Sequence, residues 1–184
     1  MSAENGVVHI LGDNGSGKTS ILKAIVGINQ FNGHVIFNHK DTQRLTAIEK
    51  LAIVFCPDKY IFSTVISAKE YLDFCARSYK IQTNDESYNM LVEELGIPKN
   101  KLLEEIRNLS YGTVKKILLA ATFLPEAKLI VMDEPINGLD TKGKDWLAAK
   151  IDKGREEHLF LITCHDKSWL NQFSPQEAWV RAVI

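Results

Sequence analysis

"GDNGSGKTS", residues 12–20, sets three glycines within six residues ahead of a lysine and two hydroxyl side chains. The run VVHIL (7–11) before it predicts a buried strand, and SILKAIV (20–26) predicts a helix that Gly27 can end. Glycines let backbone N–H groups approach a phosphate, and a helix start presents free N–H groups and a positive dipole end to an anion. The stretch fits G-x-x-x-x-G-K-[ST] and predicts a phosphate-binding loop between a strand and a helix.

The same loop predicts a nucleoside triphosphate with Mg²⁺ as its ligand. Lys18 can reach the β- and γ-phosphates, and the Thr19 hydroxyl can bind Mg²⁺. The alternative is a glycine-rich turn with a chance lysine, which the strand before it and the helix after it disfavour. The predicted nucleotide-binding residues are Gly12, Asn14, Gly15, Ser16, Gly17, Lys18, Thr19 and Ser20.

Two adjacent carboxylates end another apolar run, LIVMDEP (129–135). In a phosphate-loop enzyme, an aspartate at such a strand end holds Mg²⁺, which is the role expected of Asp133. A second carboxylate beside it, Glu134, can orient or deprotonate an attacking water. The alternative for this pair is a helix-capping or turn acid.

The rest of the chain divides into strand-like and helix-like patterns. Apolar runs of strand length occur at HVIFN (34–38), LAIVF (51–55), LFLITC (159–164) and AWVRAVI (178–184). Such runs are typical of a parallel sheet that is covered on both faces. Between residues 64 and 124 apolar side chains recur at helical spacing, as at Val65, Ala68, Leu72, Cys75 and Tyr79.

These patterns predict a single α/β domain over residues 1–184. Its P-loop core, residues 1–62 and 116–184, is expected to hold a mostly parallel sheet flanked by helices, with a small antiparallel part near the N-terminus. Residues 63–115 are predicted to form an inserted helical subdomain.

Composition excludes several classes of protein. With a net charge of -1 the chain has no excess of positive charge that would bind nucleic acid, so no nucleic-acid partner is expected. The three cysteines are far apart and fit no disulfide framework or zinc spacing. No apolar run approaches the roughly 20 residues of a membrane span, so the chain is not expected to cross a bilayer by itself.

With the phosphate loop and VMDEP in one chain, the sequence resembles the nucleotide-binding subunit of an ABC (ATP-binding cassette) transporter. LSYGT (109–113) stands at the place of the family's LSGGQ signature, about 20 residues before VMDEP. INGLD (136–140) follows as the D-loop, and ITCHD (162–166) supplies the switch histidine. The resemblance runs through nearly all of the chain, in the family's order.

The resemblance implies roles for the matching residues. Ser110 and Gly112 would contact the γ-phosphate that the opposite subunit of a head-to-tail dimer binds. Glu134 would be the general base, and Asp133 would anchor Mg²⁺ through water. His165 would clasp the γ-phosphate, although a lone histidine is otherwise a surface or core residue. Asp140 would belong to the D-loop, with a simple loop or helix-cap role as its alternative.

Three departures from the family pattern stand out. Tyr111 and Thr113 replace a glycine and a glutamine of the signature, and Tyr111 is expected to alter the dimer contact. In VFCPDKY (54–60), Asp58 stands at the position of the Q-loop glutamine, as in the branch that serves ABC-2-type exporters. The alternative for Asp58 is an ordinary turn acid after Pro57.

The third departure concerns the family's adenine-stacking aromatic. None of the eleven residues before Gly12 is aromatic. Unless Phe31 or Tyr60 covers the base, we expect weakened ATP binding and little discrimination between ATP and GTP, because base stacking is worth about 1–3 kcal/mol.

The implied function is ATP binding and hydrolysis, with Mg²⁺, that drives a membrane transporter, and the expected transporter is an exporter. The partners would be a second ABC ATPase subunit, identical or different, and a separate transmembrane permease at the inner face of the membrane, on its cytoplasmic side. The permease would dock around Tyr60, Phe62 and Tyr71, which could equally be core residues. The alternatives are a soluble ABC-type ATPase acting on ribosomes or DNA, and a regulatory nucleotide-binding module that does not hydrolyse.

Overall fold

The computed structural model describes residues 4–37, 39–59, 64–82 and 86–180 of the chain. Its contacts group it into two compact units. The core unit comprises Met1–Phe55, Ala127–Glu134 and Gly154–Ile184, and the helical unit comprises Cys56–Glu126 and Pro135–Lys153. The core and subdomain boundaries predicted above stay a prediction.

The core unit is built on a sheet. Its strands are β1 (Gly6–Leu11), β2 (Ile36–Phe37), β3 (Lys40–Asp41), β4 (Ile53–Cys56), β5 (Leu129–Asp133), β6 (Leu159–Thr163) and β7 (Gln176–Trp179). Its helices are α1 (Lys18–Ile25), α2 (Ala47–Lys50) and α8 (Lys167–Asn171), and the helical unit holds α3 to α7. Five strands form one sheet in the order β4-β5-β6-β1-β7, and β2 pairs with β3 in a separate antiparallel hairpin.

Strand pairing confirms the predicted α/β class with a mostly parallel sheet. β1 pairs in parallel with both β6 and β7, and β5 pairs in parallel with β6. β1, β5 and β6 are largely apolar and buried, as strands inside a covered parallel sheet are. One side of the sheet packs with α1 in a cluster of buried residues that comprises Val8, Ile10, Leu22, Leu45, Ile53, Leu129, Val131 and Leu161.

The helical unit contains α3 (Ala68–Ser78), α4 (Glu86–Glu94), α5 (Lys99–Leu102), α6 (Tyr111–Phe123) and α7 (Thr141–Gly154), whose last residue belongs to the core unit. α6 packs against α3 and α4. Eight of its thirteen residues are buried, which fits its position among other helices.

The expected helical position of Val65 is wrong. Ser67 caps α3, because its hydroxyl accepts from the Glu70 N–H and its own N–H donates to the Glu70 carboxylate. This capping box starts the helix at Ala68 and leaves Val65 outside it and exposed. The S-x-x-E spacing that signals such a start was present in the sequence.

Other predicted elements occur with shifted ends. β2 is shorter than the run at 34–38, and β7 begins at Gln176, earlier than the run at 178–184. Residues 181–184 of that run lie outside the described residues. In the part of the chain that the structure describes, no helix is long and apolar enough to cross a membrane.

Candidate active site

The phosphate loop, residues 12–19, connects β1 to α1 in the core unit. Gly17 precedes the helix with φ of 93°, a left-handed conformation that side chains disfavour. Among the described residues, no side chain caps α1, so its first N–H groups stay open to an anion. The Lys18 ammonium donates to the carbonyls of Gly12 at 2.8 Å and Asp13 at 3.1 Å, which holds the positive charge within the loop.

A cavity of about 500 Å³ lies beside this loop. It is lined by residues 12–16 together with Trp179 and Val180. The hydroxyl of Ser16 is buried and has no hydrogen-bond partner within the described part of the chain, so it can donate to a bound phosphate. Trp179 is 63% exposed. Trp179 was not selected from the sequence, because it reaches the loop only through the pairing of β7 with β1, which sets it opposite Leu11.

Asp133 ends β5 and lies at the centre of a hydroxyl–carboxylate cluster. Its Oδ2 accepts from the Thr19 hydroxyl at 2.7 Å, and its Oδ1 accepts from the Thr163 hydroxyl at 2.6 Å. Asp133 is only 4% exposed, so both contacts restrict its orientation. An adjacent hydroxyl and carboxylate are hard oxygen ligands of the kind that Mg²⁺ takes beside substrate phosphates, and these residues therefore fit the ion.

Glu134 follows directly and adopts an unusual backbone conformation. Its φ is 45°, in the left-handed region that a residue with a side chain rarely occupies. Its N–H lies 3.1 Å from the Thr163 carbonyl and 3.0 Å from the Thr163 hydroxyl, which anchors the turn. Strain of this kind is concentrated at functional sites.

His165 lies against Glu134. The His165 N–H donates to Glu134 Oε2 at 3.2 Å, and the imidazole Nε2 is 3.3 Å from Glu134 Oε1. The imidazole is 63% exposed, whereas the carboxylate is 11% exposed. The structure thus brings together Lys18, Thr19, Asp133, Glu134 and His165, which the sequence analysis selected separately. Thr163 was missed, because only the β5–β6 register sets it opposite Asp133.

A second histidine in the core unit was also missed. His9 lies in β1, is 3% exposed, and its Nε2 is 3.1 Å from the carbonyl oxygen of Cys164. Burial lowers the pKa of His9 below its ordinary value of 6.5. The neutral imidazole therefore donates from Nε2 and ties β1 to the residue that precedes His165.

The predicted signature residues lie in the helical unit. Ser110 is the N-cap of α6, and its hydroxyl accepts from the Thr113 N–H at 3.2 Å. A cavity of about 240 Å³ is lined by Ser110, Gly112 and Asp140 together with Gly96, Ile97, Pro98, Thr113, Lys116 and Gly138. This cavity is polar where it meets the first turn of α6. Free N–H groups at that turn can bind an anion.

Asp140 has the contacts of a helix cap. Its Oδ1 accepts from the Gly143 N–H at 2.8 Å at the start of α7, and its Oδ2 pairs with Lys116 at 3.0 Å. The hydrogen bond from Lys116 lowers the pKa of the Asp140 carboxyl. Within this chain, the contacts of Asp140 are therefore those of the helix-cap role that was the alternative to its D-loop role.

The remaining sequence candidates have different outcomes. Asp58 accepts hydrogen bonds from Tyr111 and Asn137, which are distant in sequence. Tyr71 is partly buried, and burial raises the pKa of its hydroxyl; its docking role stays a prediction. Tyr60 and Phe62 lie outside the described residues. In the described part of the chain, Phe31 is not among the residues that line the cavity beside the phosphate loop.

Comparison with known proteins finds related sequences. A family model described as ABC transporter matches residues 2–137 of the chain. The zinc import ATP-binding protein ZnuC of Wolbachia sp. subsp. Brugia malayi is 31% identical over 176 residues, covering 91% of this chain and 66% of that protein. The SkfA peptide export ATP-binding protein SkfE of Bacillus subtilis is 29% identical over 205 residues, covering 97% of this chain and 84% of that protein. The chain thus spans about two thirds of the length of the ZnuC relative.

A solved structure shares the fold. A dimeric ATP-binding cassette in a post-hydrolysis state, bound to ADP and Pi, has a TM-score of 0.78 at 16% identity, over 98% of this chain and 83% of that one. At this identity the likeness concerns the fold, and it agrees with the parallel sheet and helices described above.

Proposed function

The chain belongs to the ABC transporter family, and we propose that it binds and hydrolyses ATP to power a separate transmembrane subunit. One observation carries the proposal. A hydroxyl, two carboxylates and an imidazole, from Thr19, Asp133, Glu134 and His165, converge at the strand ends beside the start of α1, which lacks a side-chain cap among the described residues.

The phosphate loop would hold the triphosphate. Its N–H groups and the Lys18 ammonium bind phosphate oxygens, and the Ser16 hydroxyl donates a further hydrogen bond. Thr19 and Asp133 would hold Mg²⁺, with Thr163 keeping the Asp133 carboxylate in one orientation. When bound, Mg²⁺ neutralises charge on the β- and γ-phosphate oxygens.

Glu134 would take the proton from the attacking water. Its Oε2 accepts a hydrogen bond from the His165 N–H, and the His165 imidazole lies 3.3 Å from its Oε1. A positioned base of this kind contributes about 10²–10⁴-fold to rate. The exposed imidazole of His165 is available to the γ-phosphate.

A complete site would need two subunits. We propose that Ser110 and Gly112 at the first turn of α6 contact the γ-phosphate bound by the phosphate loop of a second ATPase subunit, identical or different. The dimeric form of the ADP- and Pi-bound cassette supports this assembly. A mixture of Ser110→Arg and Lys18→Ala chains should then regain turnover, because one of its two composite sites is intact.

Export is the proposed direction. The peptide export relative, which matches 97% of this chain, and Asp58 at the Q-loop position both support it. The zinc import relative supports the opposite direction. The proposed location is the cytoplasmic face of the membrane, held there by the permease. A soluble ATPase acting on ribosomes or DNA would instead leave the membrane fraction during purification.

The test is Glu134→Gln, which keeps the side-chain shape and removes the base. Turnover should fall by about 10²–10⁴-fold while MgATP still binds. The variant should also accumulate as a dimer in MgATP, because the nucleotide that joins the subunits is not consumed. Glu157→Gln, an exposed glutamate of the same unit, is the control. Turnover close to that of the wild type in Glu134→Gln would reject this assignment.

A further inference from the structure

Asp58 and Tyr111, two of the positions at which the sequence departs from the family pattern, are in direct contact. The Tyr111 hydroxyl donates to Asp58 Oδ1 at 2.9 Å and also lies 3.3 Å from the Asp58 carbonyl. The two residues are 53 positions apart in sequence and both belong to the helical unit. Since these two departures from the family pattern are hydrogen-bonded to each other, one shared role explains them better than two unrelated changes.

Asp58 Oδ1 also accepts a hydrogen bond from a third part of the chain, which is distant in sequence from both Asp58 and Tyr111. Asn137 donates from its amide to Asp58 Oδ1 at 3.2 Å. A turn acid ordinarily bonds the backbone two residues further on. Asp58 Oδ1 instead joins side chains 53 and 79 positions away. The contacts therefore favour a role in linking segments over the turn-acid alternative.

Lys115 fixes the backbone that carries Asp58. Its ammonium donates to the carbonyls of Pro57 at 3.1 Å and Asp58 at 3.4 Å. The side chain is fully buried, and its charge lies 3.9 Å from Asp58 Oδ1. Because Lys115 lies one turn after Tyr111 on α6, two side chains of the same helix hold Asp58.

Packing at the first turn of α6 leaves little freedom. A Cβ atom on Gly138 would overlap the Tyr111 ring, and one on Gly112 would lie 2.5 Å from the Gly138 carbonyl oxygen. Gly138 also has φ of 73°. The Tyr111 ring thus packs closely against Gly138. Since Tyr111 is 43% exposed, burial alone does not hold it, and the hydrogen bond to Asp58 sets its direction.

We infer that Asp58 is a positioning residue for ATP hydrolysis, which holds the first turn of α6, and with it Ser110, through the Tyr111 hydroxyl. The inference rests on the proposed function, in which Ser110 completes the site of a second subunit. Asp58 acts through Tyr111 and touches neither nucleotide nor metal. Hydrolysis should therefore depend on the pair, while nucleotide binding to the phosphate loop should not.

The test is a double-variant cycle on the full chain. Tyr111→Phe removes the hydroxyl and keeps the ring, and Asp58→Ala removes its acceptor. Each should lower kcat by about 3- to 10-fold, the effect of one lost hydrogen bond, and the double variant should lose no more than either. Asp58→Asn keeps an acceptor oxygen and should retain most of the turnover. MgATP affinity, measured by calorimetry, should stay unchanged in all four.

A matched control separates this role from stability. Tyr88 donates to Asp73 Oδ1 at 3.0 Å, a tyrosine–aspartate contact in the same unit. Tyr88→Phe should change the urea midpoint and leave kcat as in the wild type. The urea midpoints of the Asp58 and Tyr111 variants verify that each folds, so that a lower kcat reports position and not loss of folded protein.

Three outcomes would overturn the inference. Additive losses of kcat in the double variant would show that Asp58 and Tyr111 affect hydrolysis independently, so that Asp58 does not act through the Tyr111 hydroxyl. Turnover like that of the wild type in both single variants, while Glu134→Gln is inactive, would reject the inference and leave the proposed function standing. A wild-type chain that does not hydrolyse ATP at all, even as a dimer, would reject the proposed function and the inference with it.

Discussion

Lys18 and Lys115 each donate from the ammonium group to two neighbouring backbone carbonyls, Lys18 to residues 12 and 13 and Lys115 to residues 57 and 58. Lys18 stands at the open end of α1, beside a cavity of about 500 Å³ that adjoins its loop. Lys115 is enclosed in the helical unit, with its side chain fully buried. The same hydrogen-bonding pattern therefore lies beside an open cavity in the core unit and is enclosed by the chain in the helical unit.

This difference extends to the residues around each lysine. In the core unit, Thr19 and Asp133 present oxygens that can bind a metal ion, and the buried Ser16 hydroxyl has no partner in the described part of the chain. In the helical unit, Asp58 and Tyr111 bond to each other. Substitutions in the first group should alter nucleotide binding and leave the free energy of unfolding nearly constant. Substitutions around Lys115 should alter the free energy of unfolding and leave nucleotide binding nearly constant.

Lys18→Ala should produce the larger effect on binding. Loss of charge-assisted contacts to two phosphates should weaken MgATP binding by about 100-fold, at about 1.4 kcal/mol per tenfold. The urea midpoint should hardly move, because the partially exposed side chain bonds only loop carbonyls that water can satisfy. Calorimetric titration measures the affinity, and Lys23→Ala, on the same helix, is the control. Equal affinities for the wild type and Lys18→Ala would contradict the comparison.

Lys115→Met should produce the opposite pattern. The substitution keeps an unbranched side chain but takes the ammonium donor from the Pro57 carbonyl and one of two donors from the Asp58 carbonyl, at a cost of about 1–3 kcal/mol in unfolding free energy. MgATP affinity should remain within about twofold, since the phosphate loop is untouched. Urea unfolding followed by circular dichroism gives the stability. Lys142→Met removes one charge from an exposed position of α7 and serves as the matched control.

Residues within local motifs differ from residues joined by strand register or long-range contacts in how far the sequence predicts them. The phosphate loop and the Asp133–Glu134 pair were identifiable because each motif lies within a few residues at the end of one strand. Thr163 and Trp179 were not, since their positions depend on the register between strands that are distant in sequence. The bond from Tyr111 to Asp58 was equally hidden, because no local pattern relates side chains 53 residues apart.

The roles expected from family resemblance remain predictions where the structure describes only contacts. Ser110 caps α6 and Asp140 caps α7, and both contacts are compatible with a further role toward a second subunit. A capping residue was predictable for Ser110 from its place before the helical pattern. Which atoms of a partner it meets depends on an interface that one chain does not contain.

His9 and Lys115 are both buried, but they differ in charge. The Lys115 side chain is a cation, whereas the His9 imidazole is neutral. Burial holds the pKa of His9 below 6.5, so at low pH the unfolded chain takes up a proton that the folded chain resists. Stability should therefore be independent of this group above the ordinary pKa and fall as the pH drops below it. The loss should reach at most about 1.4 kcal/mol per pH unit.

Urea unfolding between about pH 5 and about pH 8 measures this slope. His9→Gln cannot titrate and keeps an amide that can donate to the Cys164 carbonyl, so its stability relative to the wild type should improve steadily below the ordinary pKa. His39→Asn, an exposed histidine with φ of 64° that asparagine tolerates, is the control and should keep the wild-type slope. If His9→Gln showed the same acid slope as the wild type, His9 would take up its proton equally in the folded and the unfolded chain, and at low pH the Cys164 carbonyl would accept a bond from imidazolium. In that case His9 would resemble Lys115, and the distinction between the two buried groups would disappear.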